Sequence, residues 1–168
     1  LASNSTAEVS LGNLSLASSS VDVKGGTLNI TGGSVGANGS LEVGGSGILK
    51  LGGNLAVTGT INLENGATTT FAGNKINVSG GTLKLAGTHS LDSITTNDQT
   101  KLQINNSANV SRTDSGTSTV GSLTYIQSGS SGSLSLSVSN MGLTVASATQ
   151  ASGASLNHSN GILTFQSA

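Results

Sequence analysis

The side chains that could do acid or base chemistry are few in this chain, and they lie far apart. Glycosidases and lyases need two carboxylates in one groove, but the seven acidic residues form neither an Asp-x-Asp nor a Glu-x-x-Glu pair. These residues are Glu8, Asp22, Glu42, Glu64, Asp92, Asp98 and Asp114. Their spacing predicts no catalytic residue of this type.

The two histidines, His89 and His158, are the next candidates. A serine protease needs a histidine and an aspartate around a Gly-flanked nucleophile, and neither histidine has a recognisable motif around it. His89 lies three residues before Asp92, but one histidine and one acid make neither a triad nor a metal site. The favoured interpretation is a turn histidine beside a strand acid. We therefore expect no enzyme, no metal and no cofactor.

Ligand-binding motifs also fail on their spacing. Calcium-binding nonapeptide repeats need Asp in each Gly-rich turn, whereas the turns here contain Asn or Ser. A phosphate loop needs Gly-Lys, and no lysine follows a glycine. Six Lys and Arg residues and a net charge of −1 disfavour nucleic acid and anionic membranes as partners. No apolar run is long enough for a membrane-spanning helix, so we expect no direct membrane insertion.

The elements that must position these residues are very short strands. Apolar residues recur as doublets at alternate positions, bounded by Gly or Asn-Gly, and residues at i and i+2 share one face of a strand. Every third doublet aligns with a period near 21 residues. The first track contains Leu28/Ile30, Leu49/Leu51, Thr69/Phe71 and, more loosely, Leu91. The second contains Val35, Leu55/Val57, Ile76/Val78 and Leu102/Ile104, and the third contains Leu41/Val43, Ile61/Leu63 and Leu83/Leu85.

Three parallel tracks with a common period predict an all-β fold, a right-handed parallel β-helix with three short strands per rung of about 21 residues. A β-sandwich is the alternative, but the gaps between doublets are short for one. The positions between the inward pairs are mostly polar, and we expect no like charges on neighbouring rungs. Glycine in Gly32-Gly33, Gly52-Gly53-Asn54 and Gly73-Asn74 predicts positive backbone φ angles after the first strand of a rung.

The composition changes near residue 105. Of the 25 glycines, 18 lie between Gly12 and Gly87, so we divide the chain into a Gly-rich β-solenoid at 1–105 and a second part at 106–168. Residues 105–119 are almost wholly polar and predict a loop or an irregular rung. Beyond them, further rungs are favoured over a small β appendage because alternating apolar residues continue. These residues are Leu123/Tyr125, Leu134/Leu136/Val138, Leu143/Val145, Leu156, and Ile162/Thr164 with Leu163/Phe165.

The Gly-rich rungs GGTLNITGG, GSLEVGGSGILKLGGNLAVTG and SGGTLKLAG resemble the passenger domains of bacterial autotransporters and related filamentous adhesins. The resemblance extends over roughly residues 10 to 105. It implies a secreted stalk at the bacterial cell surface, attached to the outer membrane by a barrel outside this sequence. The chain begins at Leu1 without a leader, so we expect a segment of a longer precursor.

Together these patterns predict an extracellular structural or adhesive β-solenoid. The leading hypothesis is attachment to host or bacterial surfaces through many weak hydrogen bonds from Asn, Ser and Thr. A subunit of a self-assembling filament or sheath is the alternative, with end-to-end or lateral contacts between copies of the chain. A carbohydrate-active enzyme is the third hypothesis.

Overall fold

The computed structural model describes residues 1–2, 6–126, 135–149 and 154–166. Within these residues the chain is all β, and no helix is long and apolar enough to cross a membrane. The strands are β1 (Glu8–Leu16), β2 (Ser20–Val23), β3 (Thr27–Val35), β4 (Ser40–Val43), β5 (Ile48–Leu51), β6 (Leu55–Val57), β7 (Thr60–Leu63), β8 (Thr68–Thr70), β9 (Ile76–Val78), β10 (Thr82–Ser90), β11 (Ile94–Thr95), β12 (Lys101–Ser111), β13 (Thr117–Ile126), β14 (Ser135–Ser139), β15 (Gly142–Thr149), β16 (Ser155–Ser159) and β17 (Leu163–Phe165).

The strands pair in parallel and stack as a β-solenoid of about 7 turns with about 20 residues in each. One rung has three faces, which we number in chain order. In the third rung they are β5, β6 and β7, and each pairs with the strand one rung above and one rung below. The predicted solenoid is confirmed.

The three faces differ in continuity. Within the described residues the third face is unbroken from β2 through β4, β7, β10, β12 and β13 to β15. The first face is interrupted, because β8 ends its sheet and residues 87–90 of β10 pair only with β12. The second face is interrupted after β11, since residues 117–120 of β13 pair only with β15.

The core is a narrow aliphatic column between the faces. Inward doublets stack on their counterparts, so that Leu28 lies opposite Leu49, and Leu41 opposite Ile61. Each fully buried Leu or Ile stabilises the fold by about 1.5–3 kcal/mol relative to an exposed one. The largest fully buried side chains are Ile30, Leu41, Leu49, Leu51, Leu55, Ile61, Leu63, Ile76, Leu83, Leu85, Ile94 and Leu102.

The strand register confirms most of the predicted tracks and corrects two positions. Leu102 lies opposite Leu83 on the third face, whereas the sequence placed Leu102/Ile104 on the second. Ile94 takes that second-face position, opposite Ile76. Leu91 is buried but lies outside any strand, and its N–H donates to the Ser111 carbonyl at 2.9 Å. Both errors arise in the fifth rung, where His89 holds the inward position of the first face and Ile94 is the single apolar residue of the second, so neither face has a doublet.

The outward residues confirm the polar surface and correct two expectations. Gln103 lies beside Lys84 in the outward column of the third face, whereas its position between Leu102 and Ile104 predicted the second face. Like charges do meet on the third face, where Asp22 lies opposite Glu42. Lys24 compensates for their repulsion, with its Nζ 2.8 Å from Glu42 and 3.8 Å from Asp22.

The glycine corners follow the prediction in part. Gly32, Gly33 and Gly73 have positive φ angles of 148°, 139° and 84°. Gly53 has no positive φ angle. Glycine is required there because a Cβ atom would collide with the Thr31 carbonyl oxygen. Close stacking of successive corners, as well as backbone conformation, therefore selects glycine.

The C-terminal part continues the solenoid, and residues 105–119 form an irregular rung rather than a loop. Three residues of β12 lie between Ile104 and Ala108, whereas a single residue of β10 lies between their partners Leu85 and Gly87. Ala108 and Val110 are buried on this rung. Leu134 and the side chain of Tyr125 lie outside the described residues, and the division at residue 105 stays a prediction.

Candidate functional site

A cleft of about 360 Å³ opens where the first face is interrupted. It lies between β8 and the second half of β10, and we call it the β8–β10 cleft. Its lining includes one aromatic ring, Phe71, and one carboxylate, Asp92. Five hydroxyl side chains complete most of the remaining wall, namely Thr68, Thr69, Thr88, Ser90 and Ser93. The lining is thus polar, with one apolar patch.

His89 lies at the base of this cleft. It is a strand residue opposite Val110 of β12, at an inward position, and only 7% of its surface is exposed. Its Nε2 is 2.8 Å from the Ala86 carbonyl oxygen, and since a carbonyl only accepts, Nε2 donates. The ring therefore replaces an aliphatic core residue at the edge of the opening.

Asp92 is held at the rim by three hydrogen bonds. Its Oδ2 accepts from the Ser90 hydroxyl at 2.8 Å and from the Thr113 hydroxyl at 3.0 Å, and its Oδ1 accepts from the Thr113 backbone N–H at 2.7 Å. The Ser90 bond, followed by the Thr113 backbone bond, holds the pKa of Asp92 below its ordinary value. The carboxylate is therefore ionised and fixed in position.

The turn that holds Asp92 is itself fixed by an ion pair. Arg112 donates from Nε and Nη2 to the two carboxylate oxygens of Asp114, each at 2.7 Å. Its Nη1 donates to the Leu91 carbonyl at 3.1 Å. The guanidinium holds the pKa of Asp114 well below its usual range. The arginine thereby joins two successive rungs directly behind Asp92.

The structure places His89 and Asp92 on one cleft but reverses their predicted settings. His89 belongs to strand β10, and Asp92 lies in the turn that follows it, whereas the sequence suggested a turn histidine and a strand acid. Their hydrogen bonds in the described part of the chain go to other groups, so they form no His–Asp dyad.

A second charged cluster lies on the third face, around Glu42. The carboxylate contacts Lys24 at 2.8 Å and accepts a hydrogen bond from Asn62 Nδ2 at 3.1 Å. The hydrogen bond from Lys24 is the main reason that the pKa of Glu42 lies below its ordinary value. Within the described residues no group of three or more His, Asp or Glu side chains could hold a metal ion.

One Gly-x-Ser-x-Gly pattern of the serine hydrolase type, at residues 32–36, was overlooked in the sequence analysis. Ser34 is exposed on β3 and lies between Ser15 and Ala56 of the neighbouring rungs. It therefore lies on a flat strand surface and not in the strand-to-helix turn that exposes a hydrolase nucleophile. The glycines of this pattern belong to the bend of β3 between the first and the second face.

Phe71 and the cleft itself were missed by the sequence analysis. The signal is present in the first track, where Thr69 replaces the leucine of Leu28 and Leu49. A polar residue at an inward position indicates that the core is open at that rung. The three threonines 68–70 therefore indicate an interruption.

Comparison of the chain with protein-family models, with curated proteins and with solved structures finds no match. The β-solenoid architecture stands on the structure. The likeness to autotransporter passengers and adhesins rests only on the rungs quoted above.

Proposed function

We propose that this chain is an extracellular, non-enzymatic β-solenoid, a passenger-like segment of a bacterial surface adhesin that mediates attachment or aggregation. The observation that supports it is the regular display of neutral polar side chains on a rigid stack. Asn77 on the second face, for example, accepts a hydrogen bond from Thr95 one rung above at 2.6 Å. Many weak contacts at rung spacing, roughly 4.8 Å, combine into strong attachment through avidity.

The test is attachment of beads coated with the folded chain to bacterial and host cells. We expect coated beads to attach or aggregate more than beads coated with Leu51→Asp, which should unfold because Leu51 is 2% exposed. Lys50→Asp, at an exposed neighbouring position, is the matched control and should attach as the unaltered chain does. Equal attachment by the folded and unfolded coatings would contradict the proposal.

The non-enzymatic part of the proposal is supported by the composition of the β8–β10 cleft. Glycoside hydrolysis uses a pair of carboxylates, and Asp92 is the single acid among the described residues that line this cleft. We expect no products when the chain is incubated with panels of polysaccharides and peptides. Hydrolysis that disappears in the double variant His89→Ala, Asp92→Ala would contradict this expectation.

A filament subunit is the second candidate, and the ends of the described stack favour it. Val9 and Leu11 lie at inward positions of the first rung, opposite Leu28 and Ile30, yet they are 36% and 40% exposed. Phe165 lies opposite Val145 in β17 and is 52% exposed. Apolar core residues are thus exposed at both ends of the described stack, where either further polypeptide of a longer precursor or another copy of the chain would cover them.

A further inference from the structure

The β8–β10 cleft has two strand edges that face each other without pairing. β8 pairs with β5 on its other side, and residues 87–90 pair with β12 on theirs. Unpaired parallel edges present backbone N–H and C=O groups, so a ligand between them meets both donors and acceptors. A ligand that supplies both kinds of group fits such a site.

The side chains around these edges have the same dual character. Threonine and serine hydroxyls donate and accept, and five of them line the cleft. Asp92 adds a strong acceptor, already oriented by Ser90 at 2.8 Å and by Thr113 at 2.7 Å. A carboxylate has about four acceptor positions, so one remains for a ligand hydroxyl.

Phe71 supplies an apolar wall. Its ring is partly buried, packs against the core and faces the cleft. An aromatic ring fixed in this way offers a flat contact surface at little cost in conformational entropy. The cleft therefore combines a flat apolar surface with a ring of hydroxyls and one carboxylate.

From this combination we infer that the β8–β10 cleft binds a neutral saccharide unit. A sugar ring has hydroxyls that donate and accept, and an apolar C–H face that can lie on Phe71. The volume of about 360 Å³ is at the small end of ligand sites, about 300–1,000 Å³, and suits one or two rings. No lysine or arginine is among the described residues that line the cleft, so the ionised Asp92 disfavours sulfated or carboxylated sugars. The inference rests on the proposed adhesive function, whose ligand class it names.

The test begins with the folded chain on an array of neutral and acidic oligosaccharides, followed by calorimetric titration with the best neutral one. Phe71→Leu keeps an apolar side chain but removes the ring, and we expect it to weaken binding by about tenfold. Phe165→Leu is the matched control, since Phe165 is the only other phenylalanine and lies at the C-terminal end. It should bind within about twofold of the unaltered chain.

Amide chemical shifts locate the ligand independently of affinity. The neutral oligosaccharide should shift the signals of residues 67–71 and 88–93 and leave those of β7 unchanged. No binding to any neutral sugar, preferred binding to acidic sugars, or equal affinity of a folded Phe71→Leu variant would overturn the inference. Thermal melting of each variant establishes that it is folded.

The bead assay separates this inference from the adhesive proposal. Beads that attach to cells although no neutral sugar binds would leave adhesion standing and refute the saccharide site. Sugar binding with shifts at residues 67–71, but without attachment of beads, would support the site and refute adhesion.

Discussion

The two histidines occupy the same inward column of the first face. His89, Val110, Val138 and His158 lie opposite one another on successive rungs. Each histidine Nε2 donates to a backbone carbonyl, of Ala86 at 2.8 Å and of Met141 at 3.3 Å. His89 ends this column at the cleft, and His158 ends it at the last described rung. An imidazole suits such ends because it packs on apolar neighbours and still satisfies a polar backbone group.

The inward and outward sides of one strand give the sharpest residue-level prediction. Leu51 lies opposite the buried Ile30, and Lys50 lies at an exposed position between Asn29 and Thr70. Leu51→Asp buries an unpaired carboxylate and should lower the free energy of unfolding by at least about 3 kcal/mol. Lys50→Asp should change it by no more than about 0.5 kcal/mol. Equal shifts in chemical denaturation would contradict the register.

Asp92 contributes to the acid sensitivity of the fold, together with Glu42 and Asp114, whose pKa values also lie below their ordinary values. The pKa of Asp92 is lower in the folded chain than its ordinary value of 3.8. The resulting stabilisation is therefore complete above about pH 4 and is lost as the pH falls through the folded pKa. Thermal melts between pH 7 and pH 2 should show a smaller loss of stability at low pH for Asp92→Asn than for the unaltered chain.

The control for this pH series is Asp98→Asn. Asp98 is an exposed turn residue, and its replacement removes one carboxylate without removing an acceptor of the Ser90 and Thr113 hydrogen bonds. An unchanged pH dependence in Asp92→Asn would contradict a lowered pKa of Asp92 in the folded chain.

At the scale of strands, the sequence predicts the position of a strand correctly wherever that strand contains an apolar doublet. Leu41/Val43, Ile61/Leu63 and Leu83/Leu85 identify the third face correctly because stacking buries like on like. The prediction fails in the fifth rung, since β11 contributes only Ile94 to the core. The cleft was not predicted because a missing strand pair is a long-range property. The local signals are the polar residues at inward positions on its two sides, Thr69 and His89.

The interruption of the first face predicts uneven hydrogen exchange. β8 pairs with β5 alone, whereas β7 pairs with both β4 and β10. Because an edge strand opens at a lower free-energy cost than a central one, peptides that contain residues 68–70 should exchange at least about tenfold faster than peptides from β7. Equal protection of the two strands would contradict the open edge, and a bound saccharide should slow exchange in β8.

At the scale of the whole molecule, the third face is the continuous element that joins the rungs before and after the cleft. β10 and β12 each extend from the third face onto the first face. Each of them therefore belongs both to the continuous third face and to the part of the first face that begins after the cleft. Arg112 strengthens this connection through its bond to the Leu91 carbonyl at 3.1 Å. The described residues therefore form one stack with a lateral opening.

The last prediction concerns the ends of this stack. Parallel pairing is directional, so the last rung of one copy matches the first rung of the next and not its own counterpart. Leu11 and Phe165 are inward residues of these end rungs, 40% and 52% exposed. We expect the 168-residue chain to associate head to tail, with a sedimentation coefficient that increases over the micromolar range.

A charged residue in one end rung should prevent head-to-tail association at that end. Leu11→Lys blocks the first rung and Phe165→Lys blocks the last, so each variant alone should sediment as a monomer because every contact needs one end of each kind. An equimolar mixture still has one open end on each variant and should form dimers that do not elongate. Lys50→Asp, on the side of the stack, should assemble as the unaltered chain does. A strictly monomeric unaltered chain, or variants that associate as it does, would refute head-to-tail assembly.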